Sequence, residues 1–362
     1  MIDRRLIENV DWFLIGLLVL NSLLGVVVIY SASHYVPGNY HWRQLVFIGA
    51  SLLALFLLLL VDYQVLMTFS FYFYGAVVFV LLIMLPFGRF ISKGSWIKLR
   101  YFQVQPSELA KVAIILVLAR LFSEYKKNQV STTAALTSSG LVGLPFILVA
   151  LQPDLGTAVS FFPLLLGSLI LAGLKRNAVI GILILAFLAG IAGWNFYLKD
   201  YQKERLSTVV FPSRDPQGAG YHILQSKIAI GSGGFLGKGF ARGSQSQLKF
   251  LPARHTDFVF SVIGEEFGFL GIISVLLLYY LFIWRLFRSA GKSRDRAGVY
   301  IIFMVGLMIS FQLLVNVAMV IGIFPIVGIP LPLLSYGGSS LLANYLGVGL
   351  VLNVKMRRFA NI

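Results

Sequence analysis

Runs of about twenty apolar residues recur along this chain, and they constrain its fold more than any other feature. A helix rising about 1.5 Å per residue needs roughly 20 residues to cross about 30 Å of hydrocarbon. The pattern predicts ten spans, near 12–31, 44–61, 65–86, 107–122, 139–152, 155–173, 178–198, 258–284, 299–323 and 332–354. Only 12% of the residues are charged and 58% are hydrophobic, where an ordinary soluble domain is about a quarter charged. Water would not hold such a surface, so the bilayer is the solvent. In a bilayer each backbone polar group must be satisfied within the chain, which selects helices. The expected fold class is an all-α polytopic membrane protein of about ten transmembrane helices. The expected organisation is one integral membrane domain over 1–362, with seven helices in 1–198, an extracytoplasmic segment at 199–257 and three helices in 258–362.

The net charge of +16 would suggest nucleic acid in a soluble chain. Here the cations lie between apolar runs, so they read as topology and no nucleic-acid partner is expected. With the N-terminus inside, fifteen lysines and arginines fall on the inner side, clustered at 4–5, 120–127, 175–176, 285–296 and 355–358. Five (Arg43, Arg89, Lys93, Lys98 and Arg100) fall in short outer loops. That bias places both termini in the cytoplasm and agrees with an even number of helices. The outer cluster at 89–100 breaks the rule and points to an anionic ligand on that face. No cysteine is present, which excludes disulfides and thiolate metal sites. The first apolar run is too long for a cleavable signal peptide.

Between the seventh and eighth spans, 199–257 is too long for a plain linker. A short or re-entrant helix is expected at 219–231 (AGYHILQSKIAIG). The glycine-rich GSGGFLGKGFARG at 231–243 fails the spacing of a phosphate loop, so a flexible or tightly turned loop is the better reading.

Ionisable residues at membrane depth are costly and mark function by default. Glu108 and Lys111 follow Pro106 at i,i+3 spacing and can pair, either as a structural bridge or in a polar pocket opening outward. Asp154, between two spans, reads as a helix N-cap. Asp257 lies where the long outer segment meets the eighth span, in HTDFVFSVIGEEFG. Alone it would read as a helix N-cap or a first-turn acid favoured by the helix dipole. Glu265 and Glu266 lie about 12 Å deeper by helical rise. Together the three suggest a polar cavity with a carboxylate at its mouth, able to accept a proton.

The strings QPSELAK (105–111), QPDLGTA (152–158), GYHILQSKIAIGSGGFLGKG (220–239), QSQLKFLPARHTDF (245–258), GEEFG (264–268) and PLPLLSYGGSS (330–340) resemble the SEDS family (shape, elongation, division and sporulation), in its RodA branch. The resemblance covers nearly the whole chain, in order. Two positions depart: Ala253 stands where the family usually has glutamate, and Ser244 where threonine is usual.

The resemblance implies a peptidoglycan glycosyltransferase that polymerises lipid II at the outer face of the bacterial cytoplasmic membrane during elongation. Its partners would be lipid II, the undecaprenyl-pyrophosphate-linked glycan, a class B penicillin-binding protein and other elongation proteins. Asp257 would be the catalytic base or a ligand of Mg²⁺ or Mn²⁺, and no organic cofactor is expected. Lys93, Lys98, Arg100 and Lys111 would face the pyrophosphate. Trp96 would be a platform for sugar or lipid, with Gln105, Ser107, Glu108, His255, Thr256, Glu265, Glu266 and Ser335 around the cavity. A lipid II flippase is the rival reading. The lack of internal repeats, and of charge through the inner half of the spans, argues against it.

Overall fold

The computed structural model describes residues 8–34, 38–91, 95–98, 103–125, 130–182, 218–248, 250–251 and 253–358, with isolated positions between 184 and 208. Among the described residues the chain is all-helical apart from one two-stranded hairpin. In order, α1 is Trp12–Ser33, α2 Tyr40–Leu60, α3 Tyr63–Thr68, α4 Ser70–Ile91, α5 Pro106–Ser123, α6 Thr132–Leu151, α7 Leu155–Val159 and α8 Phe162–Leu171. Then come α9 Ala219–Ser232, α10 Ser244–Gln247, α11 Val259–Ala290, α12 Arg296–Val320 and α13 Gly338–Met356. Strands β1 (Ile97–Lys98) and β2 (Gln103–Val104) pair antiparallel just before α5.

Among the described residues five helices, namely α1, α2, α6, α11 and α12, are long and apolar enough to cross a membrane. Shorter apolar helices run over Ser70–Pro86 and Leu155–Leu171. The predicted seventh span, 178–198, lies largely outside the described residues. The third and sixth predicted spans each break in two, at Phe69 and at Ser160–Phe161. The tenth starts later than expected, because 330–337 is a turn rather than helix.

Capping explains where several helices begin. Asp11 accepts from the Leu14 N–H at 3.2 Å, Ser131 from Ala134 at 3.1 Å and Asp295 from Gly298 at 2.8 Å. Pro106 takes the first position of α5, where its missing N–H costs nothing. Helix α5 is the hub: it is buried along most of its length and packs against α4, α6, α12 and α13. Large apolar residues such as Phe13, Leu57, Tyr72, Phe79 and Leu136 stay exposed on the peripheral helices, as a lipid-facing surface requires.

The end of the bundle that carries the inner cations is stitched by ion pairs. Asp11 accepts from Arg285 at 2.8 Å and from Lys355, while Arg357 meets Asp62 at 3.1 Å. Those contacts tie α1, α11 and α13 together at one end and leave the other end to the motifs.

Candidate active site

Backbone breaks at that other end position the motifs. Helix α11 is interrupted at Gly268, whose φ of 63° and ψ of −157° are not helical. The interrupted turn loses intrahelical partners, and the glycine-rich loop replaces them. Phe269 and Leu270 donate to the carbonyls of Gly234 and Phe235, at 2.9 and 3.2 Å. Lys238 and Gly239 donate back to the carbonyls of Glu265 and Glu266, at 3.0 and 2.9 Å. The approach is backbone to backbone: a Cβ at Gly237 would lie 2.2 Å from the Glu266 carbonyl oxygen. GSGGFLGKG is therefore tightly turned and docked, the second of the two readings its sequence allowed.

Docking the loop uses the two glutamates expected in the cavity. Glu265 is fully buried. It accepts from Lys238 Nζ at 2.8 Å, Ser244 Oγ at 3.2 Å, and the N–H groups of Gln245 at 2.8 Å and Ser246 at 3.1 Å. Ser31 Oγ lies 2.5 and 2.7 Å from the two oxygens of Glu266. Both acids thus stand among protein partners and hold the outer segment to α11 and α1, which differs from the open cavity expected. At Ser244 the hydroxyl makes the contact, so serine serves where threonine is usual.

Around Asp257 the chain makes a tight turn. Ala253 takes a φ of 50°, and its carbonyl accepts from the N–H groups of Thr256, Asp257 and Phe258. The carbonyls of residues 255, 256 and 257 are each held by a different donor. Tyr336 N–H donates to His255 at 2.9 Å, Ser335 Oγ to Thr256, and Asn316 Nδ2 to Asp257 at 3.0 Å. Asp257 is half-buried, and its carboxylate lies beside Gly328, whose backbone forms a wall there: a Cβ at Gly328 would lie 3.9 Å from Oδ2. Behind that wall, Gly156 of the QPDLGTA string comes so close that its Cβ would sit 2.0 Å from the Val327 carbonyl oxygen.

The 330–340 turn joins this region to α5. Ser335 Oγ also accepts from Leu331 N–H at 2.9 Å, and its carbonyl accepts from Gln44 Nε2 at 3.1 Å. Gln105 N–H donates to Ser339 Oγ at 3.0 Å, and Gln105 Nε2 to Asp154 Oδ2 at 2.6 Å. Asp154 caps α7 through Thr157 N–H at 3.2 Å, as its sequence position suggested. Three motifs distant in sequence therefore meet on one turn.

Glu108 and Lys111 lie just below. They pair at 2.7 and 2.8 Å, and both are nearly sealed from solvent, at 3% and 1% exposure. The pair is closed over rather than opening outward. Ser107 is also buried, and its Oγ has no hydrogen-bond partner among the described residues.

His255 packs tilted against Tyr40 at 4.5 Å and lies edge-on to Tyr336 at 5.8 Å between ring centres. Burial, and then the Arg254 charge, pull its pKa below the usual 6.5. Thr256 returns its hydroxyl to the Ala253 carbonyl at 3.1 Å. Trp96 is half-buried beside β1, which contains Lys98, while Lys93 and Arg100 lie outside the described residues. Asn316 was not singled out in the sequence. The available signal was a pair of amides, Gln312 and Asn316, one turn apart in an apolar helix.

A family of cell cycle proteins comprising FtsW, RodA and SpoVE matches residues 11–359. The chain belongs to that family. It is similar to the peptidoglycan glycosyltransferase MrdB of Escherichia coli K12, with 40% identity over 352 residues, covering 94% of this chain and 93% of the relative. Stage V sporulation protein E of Bacillus subtilis is 34% identical, covering 95% and 96%. Among solved structures, a chain from a peptidoglycan synthase complex that coordinates polymerization and crosslinking superposes with a TM-score of 0.84 at 34% identity, covering 97% and 99%. Rod shape determining protein RodA of Thermus thermophilus gives 0.72 at 30% identity, covering 97% and 98%. The expected family and the all-helical membrane fold are both borne out.

Proposed function

We propose that Asp257 accepts the acceptor sugar's proton in lipid II polymerisation: this chain is a peptidoglycan glycosyltransferase of the RodA type, and its turn at 253–257 supplies the base. The observation that carries this reading is the pinned backbone under the Asp257 carboxylate. Asp257 is half-buried, its backbone is held through three successive carbonyls, and its side chain lies beside the Gly328 backbone. A carboxylate so placed can take the proton as the sugar oxygen attacks the anomeric carbon of the donor. The bond to the lipid pyrophosphate then breaks, and the proton stays on Asp257 until solvent removes it.

Negative charge grows on the leaving pyrophosphate and needs cations. Lys111 is proposed for that role, with Lys93, Lys98 and Arg100 of the outer loop at 89–100; since the Glu108–Lys111 pair is closed over, its cover must open for the pyrophosphate to reach it. An ammonium already desolvated against Glu108 can exchange one anion for another. Among the described residues no three His, Asp or Glu side chains gather as a metal cage. Mg²⁺ needs only one or two carboxylates with substrate phosphates and water. Asp257 is the protein ligand on offer to Mg²⁺ or Mn²⁺, which would supply charge neutralisation at the pyrophosphate.

The reading places the active face outside the cytoplasmic membrane and pairs the chain with a class B penicillin-binding protein. Likeness to a chain of a peptidoglycan synthase complex supports that partner. The test is polymerisation of purified lipid II by the full chain with that partner. Glycan strands from the wild type and none from Asp257→Ala support the reading. Equal yields from both would overturn it.

A further inference from the structure

Asn316 lies in the interior of α12, fully buried and one turn beyond Gln312. Its Nδ2 donates to two carbonyls at once, Asp257 at 3.0 Å and Ile329 at 2.8 Å. Both neighbours can only accept, so the amide nitrogen must face them. The other half of the amide is poorly served: Asn316 Oδ1 is buried without a hydrogen-bond partner among the described residues, and so are both polar atoms of Gln312. A buried polar atom left unpaired costs stability. An apolar side chain would avoid that cost, so what asparagine contributes is the pair of donors.

What those donors join gives them a use. One acceptor is the backbone of Asp257. The other, Ile329, follows Gly328, whose φ is 70° and whose Cβ position lies 3.9 Å from Asp257 Oδ2. One nitrogen therefore ties the carboxylate's own residue to the wall that the carboxylate faces.

We propose that Asn316 is a positioning residue for glycosyl transfer, fixing the gap between the Asp257 carboxylate and the 328–329 wall in which the acceptor hydroxyl sits. This rests on the reading of Asp257 as proton acceptor. Proton transfer needs an approach of about 2.6–3.2 Å, and a misplacement of about 1 Å costs on the order of a hundredfold. Releasing the clamp slows the chemical step and leaves lipid II binding in place. Ser335, which also accepts from Leu331 N–H, and Tyr336 hold the neighbouring carbonyls of Thr256 and His255, but neither bonds to Asp257 or to Ile329.

The experiment compares Asn316→Ala and Asn316→Asp with the wild type, using the full chain, its penicillin-binding partner and purified lipid II. Asn316→Asp keeps the shape and turns an acceptor toward two carbonyls. Asn316→Ala removes the donors and the orphan oxygen together, so at least one of the two is expected to stay folded by thermal unfolding. The expected result is a kcat lower by roughly tenfold to a hundredfold, with KM for lipid II within about twofold. In a background of Asp257→Asn the same change should cost almost nothing more, because the two residues act as one unit. Normal kcat in a folded variant would overturn the proposal, as would a loss that multiplies in full with that of Asp257→Asn. A fully active Asp257→Asn protein would instead remove the premise, an outcome visible before any Asn316 variant is measured.

Discussion

Neutralising the Glu108–Lys111 pair separates its structural cost from its chemical use. The two side chains are 3% and 1% exposed and meet at 2.7 and 2.8 Å. Lys111→Ala alone strands a carboxylate in the interior, and breaking a buried pair from one side costs about 3–5 kcal/mol. Set against a typical net stability of about 5–15 kcal/mol, that is a large fraction, so a dead Lys111→Ala protein would not discriminate. The double change Glu108→Gln with Lys111→Met keeps the volume and strands no charge. A buried pair replaced whole by neutral groups is often neutral or stabilising. We expect the double variant to melt within a few degrees of the wild type. Polymerisation should still fall by about a hundredfold or more, the usual cost of deleting an electrostatic contact to a transition state. The assay is strand synthesis from lipid II beside thermal unfolding in detergent. A double variant that is both stable and active would refute the functional role and leave a structural bridge.

Glu265→Ala should lower stability by about 3–5 kcal/mol, since it strips four contacts from the glycine-rich loop; protease cleavage within 231–246 should rise, and an unchanged cleavage pattern would contradict the docking role. His255 has a lowered pKa, so the unfolded chain binds its proton more readily, and stability should decline as pH falls below the usual value of 6.5. His255→Gln should flatten that decline in a melting series from pH 7 to about pH 5, and an unaltered slope would count against it. A cysteine at Ser213, in this cysteine-free chain, should react with an impermeant thiol reagent from outside intact cells; labelling only after lysis would reverse the proposed orientation.

The helices were legible because period and apolar length are local properties. Predicted 107–122 is observed as Pro106–Ser123, and 219–231 as Ala219–Ser232. Breaks were harder to see: nothing local announces that Gly268 opens α11, because the donors that replace its lost bonds come from 234–239. The same holds for the acids. Asp154 needed only its own helix start to be read as a cap. Glu266 read as a cavity residue, because its partner Ser31 lies 235 positions away. Asn316 was visible as a polar residue in an apolar span, but its link to Asp257 spans 59 positions and required the fold.

The most direct test of the central claim is polymerisation by Asp257→Asn. Asparagine keeps the shape and leaves the carbonyl held by Asn316 untouched. It removes the basicity and the charge. The variant should melt like the wild type and polymerise lipid II at least about a hundredfold more slowly, the scale of general base catalysis. A folded Asp257→Asn protein that polymerises at the wild-type rate would contradict the account.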